Sequence, residues 1–445
     1  VKRARADALE ALASRELNDE QRDAVGSLDG ATLVLAGAGT GKTRVITWRI
    51  ARLLAAGVEP DSILAVTFTN RAAAEMRERA HVLAGEGAKR VTLTTFHSFC
   101  ARLLRRYGKG VGLTPSFTIY DDDDQLSLIR AVAAECGMPA DAGAARGYRE
   151  RIDKARHAAL RVHDIETTAR NYEAELFADL FARYDQALRT ANAVDFGGLI
   201  TFSAHLLEDD EELRERLQLI WRYVLVDEFQ DTDTAQYRLL RALVPLGGNI
   251  VAVGDDDQSI YGWRGASVEN VRKFRDDYDA RVVTLVRNYR STRPILDVAH
   301  DIVSRVPDRM EKRVQSHRGG DEPVGAFIAR DDREEADWVV RAIEADRRLS
   351  HRPLSSYAVF YRANHQSRAF EERLRGAGLA YEVVGGVSFF ERQEVRDLLA
   401  FLRIAANPSD DVAFRRVVNV PARGIGDGTL EHLEVFKRTL GATGL

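Results

Sequence analysis

The sequence predicts an α/β fold: a parallel-sheet core interrupted by an all-helical insertion, then a partial second α/β core and the start of a further helical insertion. Three observations predict it. Short apolar runs alternate with amphipathic helical segments through the first third of the chain, which is the pattern of a parallel sheet. From Asp121 to about Arg189 the chain is rich in Ala, Arg and Glu with helical periodicity and no convincing strand. Strand patterns then return on both sides of Asn288.

In chain order, Val1 to Glu10 is a charged helical pattern. Ala31 to Ala36 (ATLVLA) is an apolar run that meets GAGTGKT, and TRVITWRIARLL follows with helical spacing, so the segment reads as strand, glycine loop and helix. Ser62 to Phe68 (SILAVTF) and Arg90 to Thr95 (RVTLTT) read as buried strands, each followed by an amphipathic helix. WRYVLVDEFQD (Trp221 to Asp231), NIVAVGDDDQ (Asn249 to Gln258) and RVVTLVRNYR (Arg281 to Arg290) are apolar runs with polar endings. Ligands gather at the carboxyl ends of strands in open α/β sheets, so these endings are expected to share one site. The second α/β unit begins near Asn288, with strands expected at Pro323 to Ala329, Ser356 to Arg362 and Ala380 to Gly386. Beyond Phe389 the pattern is helical until the glycine-rich Asn419 to Thr429.

The 445 residues suit roughly two to four domains at about 150 residues each. Hydrophobic residues make up 45% and charged residues 30%, which excludes wholesale disorder and a disulfide scaffold. With 64 basic against 68 acidic residues, any nucleic-acid contact must come from a local patch. The two cysteines, Cys100 and Cys136, lack metal-ligand spacing and suit a reducing compartment. No apolar run reaches membrane-spanning length and the start has no signal-peptide core, so a cytoplasmic location without membrane contact is expected.

The phosphate chemistry is expected at Ala36, Gly37, Ala38, Gly39, Thr40, Gly41, Lys42 and Thr43, with Arg44 next in line. This is a Walker A loop with Ala in place of the first Gly. Glycines let backbone amides cradle phosphates, Lys42 reaches the outer phosphates and Thr43 can bind Mg²⁺. VLVDEFQD delivers Asp227 and Glu228 to the same end of the sheet, where Asp227 can hold Mg²⁺ and Glu228 can take a proton from attacking water. Taken alone, that pair is an ordinary acidic strand terminus; the Walker loop reverses the balance. Val253 to Ala266 joins an acidic turn, Gln258, Tyr261, Trp263 and Arg264, a composition able to sense a phosphate and stack on bases, although core packing explains the aromatics equally well. Asn70 and His97 precede basic helices suited to phosphate-backbone contacts, yet solvated amphipathic helices look the same, and His97 alone reads equally as a buried histidine.

Together these segments resemble the Rep/UvrD/PcrA group of superfamily 1A helicases, over essentially the whole chain. LNDEQRDAV is similar to the Q motif, AGAGTGKT to motif I, TFTNRAA to motif Ia, TFHSF to the segment after it, DEFQDTD to motif II, VGDDDQSIYGWRGA to motif III and LVRNYRS to motif IV. Val359 to Leu374 resembles the next family segment, and the stretch from Phe389 the entry into a further subdomain. The resemblance implies ATP and Mg²⁺ as cofactors, single-stranded and tailed duplex DNA as partners, and 3′ to 5′ movement in a cytoplasmic, nucleoid-associated setting. It implies RecA-like domain 1A at 1–115 and 195–285, helical insertion 1B at 116–194, the first part of RecA-like domain 2A at 286–386 and the start of 2B at 387–445. Gln21 would read adenine, Tyr289 would stack on it and Arg290 would act on the γ-phosphate. Lys42, Thr43, Asp227, Glu228 and Gln258 would complete the hydrolytic set, and Phe68, Asn70, His97, Tyr261, Trp263, Arg264, Arg362 and Asn364 would line the DNA.

The family's motifs V and VI do not occur in these residues. The chain is therefore expected to be part of a longer protein and to hydrolyse ATP poorly, since losing a transition-state arginine costs about 10³ to 10⁵ in rate. Two other readings compete: an ATP-switched DNA-binding or protein-displacing factor, and the motor of a helicase-nuclease subunit. A small-molecule kinase would leave Gln258, Trp263 and Arg290 without roles.

Overall fold

In the computed structural model, Leu33 and Leu35 face one apolar core while Val34 and Ala36 face another, as a strand buried on both sides requires. The structure describes residues 2–306, 309–384, 392–426, 428–430, 432, 433 and 436. The strands among them are β1 (Ala31–Ala36), β2 (Ile63–Thr67), β3 (Thr92–Thr95), β4 (Thr118–Tyr120), β5 (Ala193–Asp195), β6 (Tyr223–Val226), β7 (Asn249–Gly254), β8 (Arg281–Leu285), β9 (Arg287–Asn288) and β10 (Gln315–Ser316).

Six of them form one parallel sheet in the order β3-β2-β6-β7-β1-β8. The order puts β6, β7 and β1 side by side, so their carboxyl ends deliver Asp227, Asp255 and the glycine loop to one edge. The helix Lys42–Ala55 begins directly at the lysine, and its N-cap Gly41 sits at φ 99°, a left-handed conformation suited to glycine. With no side chain capping that end, its first amides are left for an anion.

The expected helical insertion consists of helices Asp122–Glu135, Ala142–His157, Val162–Thr168 and Tyr172–Thr190. They enclose a third core that includes Ile129, Val132, Ile152, Phe181, Tyr184 and Leu188. A short parallel ladder clasps its base, pairing Thr118 with Ala193 and Tyr120 with Asp195. Arg156 is fully buried above this clasp, 2.9 Å from Asp185 and 3.4 Å from Asp195, and Tyr184 donates its hydroxyl to Asp195 at 2.9 Å. Residues after Arg403 pack on the same insertion. Asn407 Nδ2 donates to Thr118 Oγ1 and to the carbonyls of Ala191 and Asn192, at 2.9 to 3.1 Å, and Tyr120 donates to Asp410 at 2.9 Å.

The chain divides into two compact units, one of residues 1–322 with 403–445 and one of residues 323–402. Within the smaller unit, helices Asp332–Ser350 and Ser367–Gly376 pack together, burying Ala336, Val340 and Phe370. The strands expected at Pro323–Ala329 and Ser356–Arg362 are not formed, nor is one at Ala380–Val384; Gly385 and Gly386 lie outside the described residues. Apolar alternation makes a strand only when its amides find a ladder. These runs have none among the described residues, and Ile328 and Phe360 stand 95% and 94% exposed. Among the described residues no helix is long and apolar enough to cross a membrane.

Candidate nucleotide and nucleic-acid site

The end of β1 turns through Gly37–Gly41, held internally by the Thr40 hydroxyl donating to Gly37 O at 2.7 Å. Gln21 braces the loop from the helix Asp19–Gly26. Its Nε2 donates to Thr40 O at 2.8 Å, its Oε1 accepts from Asn18 N–H at 3.2 Å, and it is 1% exposed. Both ends of the amide expected to read adenine are thus engaged, one on the loop and the other on the cap of its own helix. Gly39 permits a close approach: a Cβ there would lie 2.6 Å from Arg290 Cβ. Tyr289 N–H donates to Gly39 O at 3.0 Å and its hydroxyl accepts from Asn18 Nδ2 at 2.9 Å, which brings Tyr289, Arg290 and Gln21 to one loop as expected. Arg44 turns away and donates to Glu16 O at 3.0 Å.

Across the loop, Lys42 Nζ lies 2.6 Å from Glu228 Oε2 and 3.4 Å from Gln258 Oε1. Glu228 occupies a left-handed backbone conformation, φ 52° and ψ 45°, costly for a residue with a Cβ and typical of functional turns. Gln230 Nε2 donates to the same Glu228 oxygen at 2.9 Å, and Gln230 Oε1 accepts from Asp255 N–H at 2.8 Å. Asp227 is 4% exposed and its Oδ1 has no hydrogen-bond partner. Burial, then the neighbouring Glu228 charge, pushes its carboxyl up to about 7 against the pull of Lys42; the same causes push Asp231 up to about 6. A buried carboxylate oxygen without a donor is suited to a cation.

The aromatic residues following Gln258 do not join the core. Tyr261 stacks on Phe68 with ring centres 5.0 Å apart and neighbours Trp263 at 6.4 Å. Arg264 lies over the Trp263 ring at 4.7 Å, and Trp263 is 64% exposed. This resolves the alternative left open for these aromatics: they form a surface strip. Asn70 is exposed at the start of its helix. His97 packs edge-on to the half-exposed Phe196 ring at 6.1 Å, and burial lowers its pKa. Arg362 and Asn364 belong to the smaller unit, where both are exposed.

Two contributors escaped the sequence reading. His157, at the end of an insertion helix, bonds Asp233 at 2.7 Å. Burial opposes its protonation, but the hydrogen bond and charge of Asp233 outweigh it and raise its pKa. Lys312 is 1% exposed along its side chain and pairs with Asp255, Asp256 and Asp257. Neither carries a local signal, because the first is a lone histidine and the second one of several basic residues in a polar stretch.

A phosphate-cradling loop, a metal-suited aspartate and a glutamate beside the loop lysine, all at the end of a parallel sheet, define a P-loop nucleotide-binding protein. Residues 17–279 match the UvrD/REP helicase N-terminal domain and residues 283–442 the UvrD-like helicase C-terminal domain. The chain belongs to the UvrD/REP helicase family. It is 38% identical over 424 residues to the ATP-dependent DNA helicase PcrA of Staphylococcus epidermidis, covering 95% of this chain and 58% of the relative. It is 38% identical over 422 residues to the protein of that name from Staphylococcus aureus, covering 94% and 58%. The chain therefore spans somewhat over half the length of the curated relatives it matches.

Proposed function

We propose that the chain is the motor portion of an ATP-dependent DNA helicase that moves 3′ to 5′ along single-stranded DNA and opens tailed duplexes. One observation carries this reading: the segment that brings Gln258 to within 3.4 Å of Lys42 continues, three residues on, into the Tyr261–Trp263–Arg264 strip. A change at the phosphate site is thereby tied covalently to a surface built for stacking bases.

In this reading Lys42 and the loop amides bind the β- and γ-phosphates of ATP, Gln21 holds the loop in shape and Tyr289 covers the base. A γ-phosphate competes with Glu228 for the Lys42 ammonium, and its arrival frees Glu228 to accept the proton of the attacking water. Gln258 and Arg290 face the γ-phosphate. Thr43 and Asp227 would hold Mg²⁺, which supplies charge neutralisation on the phosphates; the donor-free Asp227 oxygen fits that role. Phe68, Tyr261, Trp263 and Arg264 contact the strand, with Asn70 and His97 beside it; Arg362 and Asn364 are proposed as further DNA contacts. The four-part division 1A, 1B, 2A and 2B extends this reading to domain organisation.

The test is ATP hydrolysis with and without single-stranded DNA, beside strand separation on 3′- and 5′-tailed duplexes by the protein carrying this chain. DNA-stimulated hydrolysis abolished by Lys42→Ala, with unwinding from the 3′ tail alone, is the expected result. Hydrolysis indifferent to Lys42→Ala would refute the site, and unwinding from the 5′ tail would refute the polarity.

A further inference from the structure

The carboxylates of Asp255, Asp256 and Asp257, just past β7, lie close enough to share one cation. The cation is internal to the chain. Lys312 Nζ is 2.8 Å from Asp255 and 3.0 Å from Asp257, and it also pairs with Asp256. Arg309 grips Asp257 with two contacts of 2.9 and 2.8 Å, and Met310 N–H donates to Asp256 at 2.6 Å. The hydrogen bond and charge of Asp255 hold the Lys312 ammonium above its ordinary pKa although burial acts against it. A charge desolvated this fully contributes little net stability even when paired, so stability alone gives no reason for it.

Hydrogen-bond logic supplies one. Asp255 receives three donors: the Asp257 N–H, the Lys312 ammonium and the Gln258 Nε2. An oxygen pair facing only donors orients the Gln258 amide, NH₂ toward Asp255 and Oε1 toward Lys42. At its other end the Lys312 segment runs into β10, where Gln315 pairs with Arg287 of β9. The adjoining Asn288 donates to Ala38 O in the phosphate loop and accepts from Arg290 N–H. Residues 309–316 therefore form a strap from the phosphate-loop side of the site to the acidic turn.

We propose that Lys312 is a positioning residue: by seating Asp255 against Gln258 it aims the Gln258 carbonyl at Lys42 and so links nucleotide occupancy to the Tyr261–Arg264 strip. The inference rests on the reading of the site as one for ATP and DNA.

The test reads linkage, which a purely structural role would not move selectively. Affinity for a fluorescein-labelled oligothymidylate is measured with and without the ATP analogue AMP-PNP and Mg²⁺, for the unaltered protein, Lys312→Met, Lys312→Arg and Asp255→Asn. Nucleotide is expected to change DNA affinity at least ~5-fold in the unaltered protein, Lys312→Met to bring the ratio within about twofold of unity, and Lys312→Arg to restore most of it. Asp255→Asn keeps the lysine but offers Gln258 a donor as readily as an acceptor, so it is expected to lose the linkage too. It decides the matter if Lys312→Met does not fold. Full linkage in both Lys312→Met and Asp255→Asn overturns the proposal, as does an unaltered protein that binds nucleotide and DNA without linkage. An unaltered protein that binds neither overturns the ATP and DNA reading itself.

Discussion

The Lys42 ammonium and the Glu228 carboxylate, 186 positions apart in sequence, lie 2.6 Å from one another. The group proposed to bind phosphate and the group proposed to accept a proton thus neutralise each other. This pairing makes Glu228→Gln more than a loss of base. The variant is expected to bind ATP more tightly than the parent, because Lys42 no longer has a competing anion, while turnover falls about 10²- to 10⁴-fold. Equilibrium binding of a fluorescent ATP analogue beside steady-state hydrolysis checks both halves; weaker binding would show that the pair supports the site instead of competing for it.

The buried aspartates give a pH dependence of defined sign. Asp227 and Asp231 are raised from 3.8 to about 7 and about 6, so between pH 4 and 7 the folded state holds protons that the unfolded chain has released. Their contribution to stability is complete below about pH 4 and is lost as pH climbs through 6 and 7. Thermal melts of the protein without added nucleotide should therefore lose stability from this source between pH 5 and 8, with the buried Asp227 the main contributor because solvent screens the half-exposed Asp231. Asp227→Asn should flatten the slope, and an unchanged slope would contradict the assignment.

Trp263 stands 64% exposed beside Tyr261 and under Arg264. If bases stack there, Trp263→Ala should weaken binding of single-stranded oligonucleotide by about 1–3 kcal/mol. Fluorescence anisotropy measures it, and affinity within error of the parent would remove the strip from the DNA path.

Arg156 is buried between Asp185 and Asp195 at the base of the helical insertion. Arg156→Met removes the buried cation from two carboxylates that keep only Arg189, Tyr184 and the Gly198 N–H as partners, and should destabilise the protein by up to roughly 3–5 kcal/mol. Adding Asp185→Asn should recover part of the loss. Urea unfolding of the single and double variants decides the point, and an effect below about 1 kcal/mol would mean that water reaches the site.

The sheet was legible because its signals are local. Each strand of the six-stranded sheet announces itself by an apolar run, and the candidate site residues follow within a few positions, as Asp227 and Glu228 do after β6. What stayed hidden depends on contacts distant in sequence. Lys312 meets Asp255 only after the chain has crossed β8 and β9, and nothing in its neighbours marks it as buried. Gln21 was expected at the nucleotide; its amide is committed to Asn18 and Thr40, which no periodicity reveals. The runs at Pro323–Ala329 and Ser356–Arg362 failed for the opposite reason. Their apolar character is genuine, but a strand exists only with a partner, and pairing is not written in the run itself.

The three-rung clasp of β4 and β5 has a consequence for how such a chain can vary. Because Thr118 pairs with Ala193 and Tyr120 with Asp195, the helical insertion begins and ends at neighbouring points, whatever length lies between. Helices there can be added, shortened or exchanged without shifting the register of β6 against its neighbours. The clasp acts as a socket, one at which a foreign domain could be grafted while the phosphate loop stays undisturbed.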